Sequence, residues 1–293
     1  MQDRLASSKI DCQAEREVLL NVIRMQNDFK IQKPLNDFLS TLVDYYFFID
    51  IPIAALHETQ EYVIPFPRIT FGYFFDHPFM VTNHSLEVSE KAEMVISRIS
   101  NHKISVLPLT DRIKILGAHV KPHALAHLTE EPIHQLPWLI HTKSLFGRQA
   151  ASFRKNISYC LDHSEMFDQV EKIFLDSLRT RNLGTITQAV QLIESATGDI
   201  RLAELAEELN LSSRALRDQF HKYMGCAPKE FLQLVQLKKS VHQMSSTDDP
   251  LTSVSYQNNY FDQPHFINSF KKITGKSPKH LRREMHNFRF LQF

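Results

Sequence analysis

Two stretches near the end of the chain repeat one another, and this repeat restricts the fold more than any other feature of the sequence. Leu202, Leu205, Ala206, Leu209, Asn210 and Leu211 recur as Leu251, Val254, Ser255, Asn258, Asn259 and Tyr260, at an offset of 49 residues. Leu216, Phe220, Gly225, Pro228 and Phe231 then recur as Phe266, Phe270, Gly275, Pro278 and Leu281, at an offset of 50. The one-residue slip falls between the first and second helix of each unit, where a turn absorbs an insertion cheaply. Apolar, glycine and proline positions in the same order twice imply a duplicated pair of helices.

Each copy reads as a helix-turn-helix. In the first, a short helix over 202–209 ends at Asn210, a residue that tolerates the left-handed backbone of a sharp turn. Ser212 caps a second helix whose Leu216 and Phe220, four apart, face inward. Ser213, Arg214, Arg217, Asp218 and His221 then face outward. In the second copy Asn259 takes the turn, Asp262 the cap, and Pro264 the first helical turn, where its missing N–H costs nothing. Gln263, His265, Ile267, Asn268 and Lys271 face outward. Between the copies, Lys229 to Met244 reads as one helix about 24 Å long at about 1.5 Å per residue. Such a rod, with the helices at its ends, holds two recognition helices about one DNA turn (~34 Å) apart.

Charge follows the same division. The net charge of the whole chain is +1, but from Ile186 onward 14 basic residues face 11 acidic ones. The excess lies at the end, where Lys271, Lys272, Lys276, Lys279, Arg282, Arg283 and Arg289 are interleaved with Phe270, Ile273 and Leu281 at helical spacing. That pattern indicates folded helices with a basic face rather than a solvated tail. Lys222, Lys239, Lys271, Lys272, Lys276 and Arg282 are the candidates for phosphate contacts.

With this in place, residues 186–285 resemble the DNA-binding domain of the AraC/XylS family of bacterial transcription regulators. The first unit (202–220, followed by Gly225-Cys226-Ala227-Pro228) is similar to that family's first helix-turn-helix, and 260–278 to its more specific C-terminal signature. The resemblance implies seven helices and two recognition helices in successive major grooves. It also implies base contacts from Arg214, Arg217 and Asp218 in the first unit and from Gln263, Pro264, Ile267 and Asn268 in the second. Asn259 stands where the family's turn glycine is usual, and Asp218, Gln236 and Asn268 stand where arginine is common. The stretches 112–128 and 145–149 resemble a sensor-type domain found before some AraC-type domains, which implies architecture rather than a ligand.

The first 185 residues read as mixed α and β. Gln13 to Asn27 and Leu35 to Leu42 carry helical spacing. Segments 45–49, 68–75, 93–99 and 112–117 are rich in β-branched and aromatic residues and are separated by prolines. Helices are expected over 123–129, 144–162 and 165–181, the last with a stripe from Phe167 to Leu178. The expected organisation is therefore a helical extension (1–33) and an α+β regulatory domain (34–182), a small barrel or sheet with flanking helices. An all-α domain (183–293) follows, in which a long helix joins the two helix-turn-helix units. The polar segment from Arg179 to Thr185 is the linker.

Other functions find less support. The seven glycines are too dispersed for a dinucleotide fingerprint, a P-loop or a nucleophile elbow. Three separated cysteines suit a reducing cytosol. The first residues lack a signal peptide's apolar core, and Val43–Leu56 is too short and too charged to span a bilayer. His119, His123 and His127 lie four apart, but Pro122 breaks the segment, and surface or polar-core histidine is the simpler reading. Glu130-Glu131 reads as a solvated turn and Cys160 as the apolar side of a helix. Trp138, Phe66, Tyr73 and Phe75 read as core or as a cavity lining.

The sequence thus leads to a cytoplasmic, non-enzymatic transcription regulator without cofactor or metal, whose partner is double-stranded DNA. An effector at the N-terminal domain or a homodimer through the Phe167–Leu178 stripe would control it, and RNA polymerase is its partner if it activates. The alternative is an N-terminal metal-dependent enzyme fused to a DNA-binding module.

Overall fold

Alternation of apolar and polar residues between 29 and 141 builds two antiparallel sheets in the computed structural model, which describes residues 29–55 and 60–284. The first has the order β1 (Phe29–Gln32), β2 (Val43–Pro52), β9 (Arg112–Val120), β4 (Ile69–Tyr73), β7 (Met94–Ser97) and β10 (Leu139–His141). The second has β3 (Glu61–Val63), β8 (Ile104–Pro108), β5 (Phe79–Asn83) and β6 (Val88–Ala92). The long β2–β9 pair sets the register of the first sheet, with Phe47 opposite Gly117. A Cβ at Gly117 would lie 2.3 Å from the Phe47 ring and 2.7 Å from the Phe71 carbonyl oxygen, so the close approach of these strands requires glycine.

Helices cover one side. After α1 (Asp37–Ser40), α2 (Lys143–Phe146), α3 (Arg148–Ile157) and α4 (His163–Ser177) follow the sheets. The Asp162 carboxylate accepts the Glu165 amide and caps α4. The stripe of α4 is buried on the first sheet, with Phe174 5.7 Å from Phe71 and Phe167 6.2 Å from Tyr46, ring centre to ring centre.

Several expectations are corrected. The helix expected over 13–27 lies outside the described residues. Phe29–Gln32 is not part of a helical extension ending at 33, because its period-two pattern pairs it with β2 as an edge strand. The helix expected over 144–162 is two helices, since Gly147 takes φ +52 between them. Cys160 therefore lies beyond α3, half-buried in a turn. Residues 122–127 form a tight 3-10 turn rather than an α-helix. The Phe167–Leu178 stripe packs inside its own domain, which removes it as a dimer surface. The segment 179–183 is no free linker. The Arg179 amide donates to His127 O, the Arg181 guanidinium to Ala126 O and Thr129 O, and Leu183 is buried.

From Gly184 the chain is helical: α5 (Gly184–Ser195), α6 (Leu202–Glu208), α7 (Ser213–Met224), α8 (Pro228–Ser246), α9 (Leu251–Gln257), α10 (Gln263–Thr274) and α11 (Pro278–Glu284). One continuous buried cluster runs from the first sheet and α4 through Ile133 into Phe220, Phe231 and Phe270, so the two regions share a core. Among the described residues no helix is long and apolar enough to cross a membrane.

Within the 3-10 turn, His123 is buried with neither ring nitrogen hydrogen-bonded. Burial, and then Lys121, His127 and Arg68, push its pKa down to about 3. The folded chain keeps the ring neutral, whereas the unfolded chain takes up a proton near pH 6.5. The His123 contribution to stability is full above that pH and is lost as pH falls toward 3, with a slope approaching about 1.4 kcal/mol per pH unit. His123→Leu is expected to flatten the dependence of urea stability on pH between 6 and 4. An unchanged slope would place the acid sensitivity elsewhere.

Candidate nucleic-acid interface

Both helix-turn-helix units form from local signals. Asn210 and Asn259 take φ of 53° and 59° and turn the chain after α6 and α9. The Ser212 hydroxyl accepts the Ala215 amide at 3.1 Å, and the Asp262 carboxylate accepts the His265 amide at 2.7 Å. Leu216 and Phe220 of α7, and Phe266 and Phe270 of α10, are buried, while Gly225 and Gly275 close the helices at φ +74. Between the units α8 spans 19 residues, longer than the sequence indicated and about 28 Å at about 1.5 Å per residue.

The outward faces are exposed as expected in α7. Arg214, Arg217, Asp218, His221 and Lys222 all face solvent, and Arg214 Nε lies 4.0 Å from Asp218 Oδ2. That i,i+4 pair is exposed and adds little stability. On α10, Pro264, Asn268, Lys271 and Lys272 are exposed and Gln263 is half-buried. Ile267 is half-buried against the core, a correction to its outward placement.

The phosphate candidates divide. Lys222, Lys271 and Lys272 are exposed. Lys239 instead donates to Thr197 Oγ1 and Gln257 O, and Arg282 Nη1 donates to Asp249 O at 2.7 Å. The Lys276 ammonium lies 5.5 Å from the centre of the Tyr62 ring. Gln236 also bonds inside the protein, to Asn258 O. Each of these side chains thus has a partner within the protein, that of Lys276 on β3.

Sequence reasoning missed the contacts that hold this module to the sheets, because they join residues far apart in the chain. The C-terminal end of α7 packs on the turns 122–127 and 133–135. His134 Nδ1 lies 3.1 Å from His221 O, Arg181 stacks over Tyr223, and Arg98 Nη1 donates to Ile133 O. Beside them Cys226 is buried, and burial pushes its thiol pKa up, against any role as a nucleophile. Arg68 pairs with both Asp44 of β2 and Glu194 of α5. Burial opposes its charge, but the two carboxylates more than offset this and hold its pKa above the ordinary value. Lys238 of α8 sits 4.9 Å from the centre of the Phe66 ring.

Two cavities flank this seam. One, of about 130 Å³, lies between the two sheets and is lined by Thr70, Phe74, Val95, Arg98, His102 and Trp138 among others. The other, of about 330 Å³, lies between β2 and α8, with Tyr45, Phe66, His119, Lys238 and His242 around it. Of the expected lining residues, Trp138 and Phe66 face a cavity, while Tyr73 and Phe75 pack on each other, with Phe153 and Phe48 beside them. His119 stacks on Tyr45, His127 Nδ1 lies 3.1 Å from Arg179 O, and Glu130 pairs with Arg179. No group of three His, Cys, Asp or Glu side chains that could hold a metal occurs among the described residues.

The geometry defines a tandem helix-turn-helix module, and a family model described as a helix-turn-helix domain matches residues 205–284. The transcriptional activator RhaS of Yersinia pestis (strain Pestoides F) is 28% identical over 43% of this chain and 53% of its own length. RhaS of Pectobacterium carotovorum is 24% identical over 42% and 49%. The chain thus spans about half the length of the curated relatives it matches. Among solved structures, ToxT from Vibrio cholerae aligns with a TM-score of 0.49 at 12% identity over 87% of this chain and 98% of that one. The C-terminal domain of AraT from Geobacillus stearothermophilus aligns with a TM-score of 0.34 at 27% identity over 36% and 88%. Through its C-terminal region the chain is similar to helix-turn-helix transcriptional activators.

The two capping glycines provide a test of the seam. Gly225 and Gly275 share φ +74, so alanine pays the same backbone strain at each, about 1 kcal/mol. A Cβ at 225 would also meet Ile133 at 2.9 Å, whereas at 275 it meets only Lys103 carbons at 3.6 Å. Gly225→Ala is expected to cost about 1–3 kcal/mol more than Gly275→Ala in urea unfolding. Equal costs would mean that α7 does not rest on Ile133 in solution.

Proposed function

We propose that this protein is a sequence-specific transcription regulator that binds double-stranded DNA through α7 and α10 and is controlled by its N-terminal domain. The carrying observation is the duplicated recognition unit, with two capped helices held at the ends of the rigid α8 and polar, cationic side chains facing outward. Arg214, Arg217 and Asp218 read bases in one major groove, and Gln263, Pro264, Asn268 and the exposed edge of Ile267 read the next. Lys222, Lys271 and Lys272 hold the phosphates, while Lys239, Lys276 and Arg282 serve the protein's own packing. The boundary near residue 183 separates regulatory and DNA-binding parts that work as one body. A small effector entering the cavity between the sheets would reach Arg68 and Arg98, which also contact or neighbour the helical domain. The relatives named as activators support RNA polymerase as a further partner, a cytoplasmic location and a role without catalysis.

Selection of bound sites from a random duplex pool by the full chain tests this reading. Arg217→Ala and Asn268→Ala are expected to relax base preference at positions about one helical turn (~10 base pairs) apart, each by about 1–3 kcal/mol of discrimination. Lys272→Ala should instead weaken all sequences alike and lower the salt slope by about one. Uniform weakening by Arg217→Ala, together with altered base preference in Lys272→Ala, would invert the placement of the helices.

A further inference from the structure

One side chain of the second helix-turn-helix copy is required neither for packing nor for closure of the turn. After the left-handed Asn210 and Asn259, the amides of Leu211 and Tyr260 donate to the equivalent carbonyls of Ala206 and Ser255, at 2.8 Å and 3.1 Å. In the first copy the next residue, Ser212, already caps the recognition helix. In the second, Phe261 intervenes before Asp262 takes the cap. Phe261 is therefore the inserted residue that shifts the repeat from 49 to 50.

The first copy completes the same turn without such a residue. Tyr260 supplies the turn's packing, 7% exposed and with its ring centre 4.8 Å from that of Phe266. Phe261 is 88% exposed and contributes nothing comparable to the core. Asp262 spends its carboxylate on the His265 amide, and Gln263, the first residue of α10, is polar. At the leading end of the second recognition helix, the Phe261 ring is thus an exposed apolar surface beside polar and cationic side chains.

We infer that Phe261 is a specificity-determining residue that reads thymine, its ring closing on the C5 methyl group at the edge of the second half-site. This rests on the reading of α10 as a recognition helix. The leading residues of such a helix lie nearest the base edges. Thymine presents a methyl group in the major groove, and phenylalanine is among the side chains that contact it. Because the first copy has no equivalent residue, dependence on the methyl group is confined to one half-site.

The experiment uses the full chain and the duplex it selects from a random pool. Each thymine is replaced in turn by deoxyuridine, which removes only the methyl group, and affinity is read by fluorescence anisotropy at fixed salt. The wild-type protein is expected to lose about four-fold at one thymine of one half-site, the worth of one buried methyl group. Phe261→Ala should bind the thymine and uracil duplexes equally, at the weaker level, with an unchanged melting temperature and salt slope. The inference is overturned if Phe261→Ala retains the methyl dependence, weakens every sequence alike, or changes only the association state of the protein. It is also overturned if the second half-site selects no thymine. Absence of salt-sensitive duplex binding by the wild-type protein is a separate result, and it would remove the DNA-binding reading itself.

Discussion

Arg68 is the charge on which the arrangement of the two halves turns. Its side chain is 8% exposed, yet it carries a full positive charge between Asp44 of the sheet and Glu194 of the first helix of the DNA-binding domain. A buried ion pair gains little over an apolar contact of the same shape, because desolvation consumes most of the Coulomb attraction. Its directional requirement is strict, however, since a displaced Glu194 would leave the guanidinium undercompensated in a medium of low dielectric. The apolar core that continues from the sheets into the helices supplies the cohesion. Arg68 restricts which face of α5 may be presented to it.

The trailing end of α7 is held firmly at this seam, and that of α10 only lightly at the second sheet. Gly225, which ends α7, lies on Ile133, and the His221 carbonyl faces His134. Gly275, which ends α10, lies beside Lys103, and Lys276 reaches the Tyr62 ring. The leading ends, with Arg214, Pro264 and Phe261, remain exposed. A helix-turn-helix domain on a tether would leave its orientation to the DNA alone. Here the N-terminal domain packs directly against α7, with no free segment between them.

The helical half was readable from the sequence because its determinants are local. Caps, left-handed asparagines, terminal glycines and the inward pairs at four-residue spacing lie within a dozen residues of one another, and the repeat states each of them twice. In the sheets, β2, β4, β7 and β9 could be read, since the strands buried at the centre carry continuous apolar and aromatic runs. Edge or short strands such as β1 and β6 (Val88–Ala92, Val-Ser-Glu-Lys-Ala) alternate with solvent and resemble loops. Gly147 broke an apparent long helix through a positive φ that composition does not reveal. Lys239, Lys276 and Arg282 have partners within the protein that the sequence did not indicate, for a related reason. A cation looks the same in sequence whether it awaits a phosphate or a carbonyl, and Arg282 finds its carbonyl 33 residues away.

The two copies of the motif have diverged in what they offer a duplex, and the divergence has a physical consequence. The first presents Arg214, Arg217 and Asp218, of which Arg214 and Asp218 sit within ion-pair distance of each other. The second presents Asn268, the edge of Ile267 and the inserted Phe261 above Lys271 and Lys272. Arginine and aspartate recognise hydrogen-bonding edges, which every base pair has in some form, whereas an apolar surface recognises a methyl group that only thymine carries. On the proposed reading, the single helix α8 between the copies would set these two kinds of contact on one face of the duplex. If α7 and α10 read bases as proposed, exchange of the copies would not be neutral, and the protein would have an intrinsic direction on its DNA even with half-sites alike in spacing.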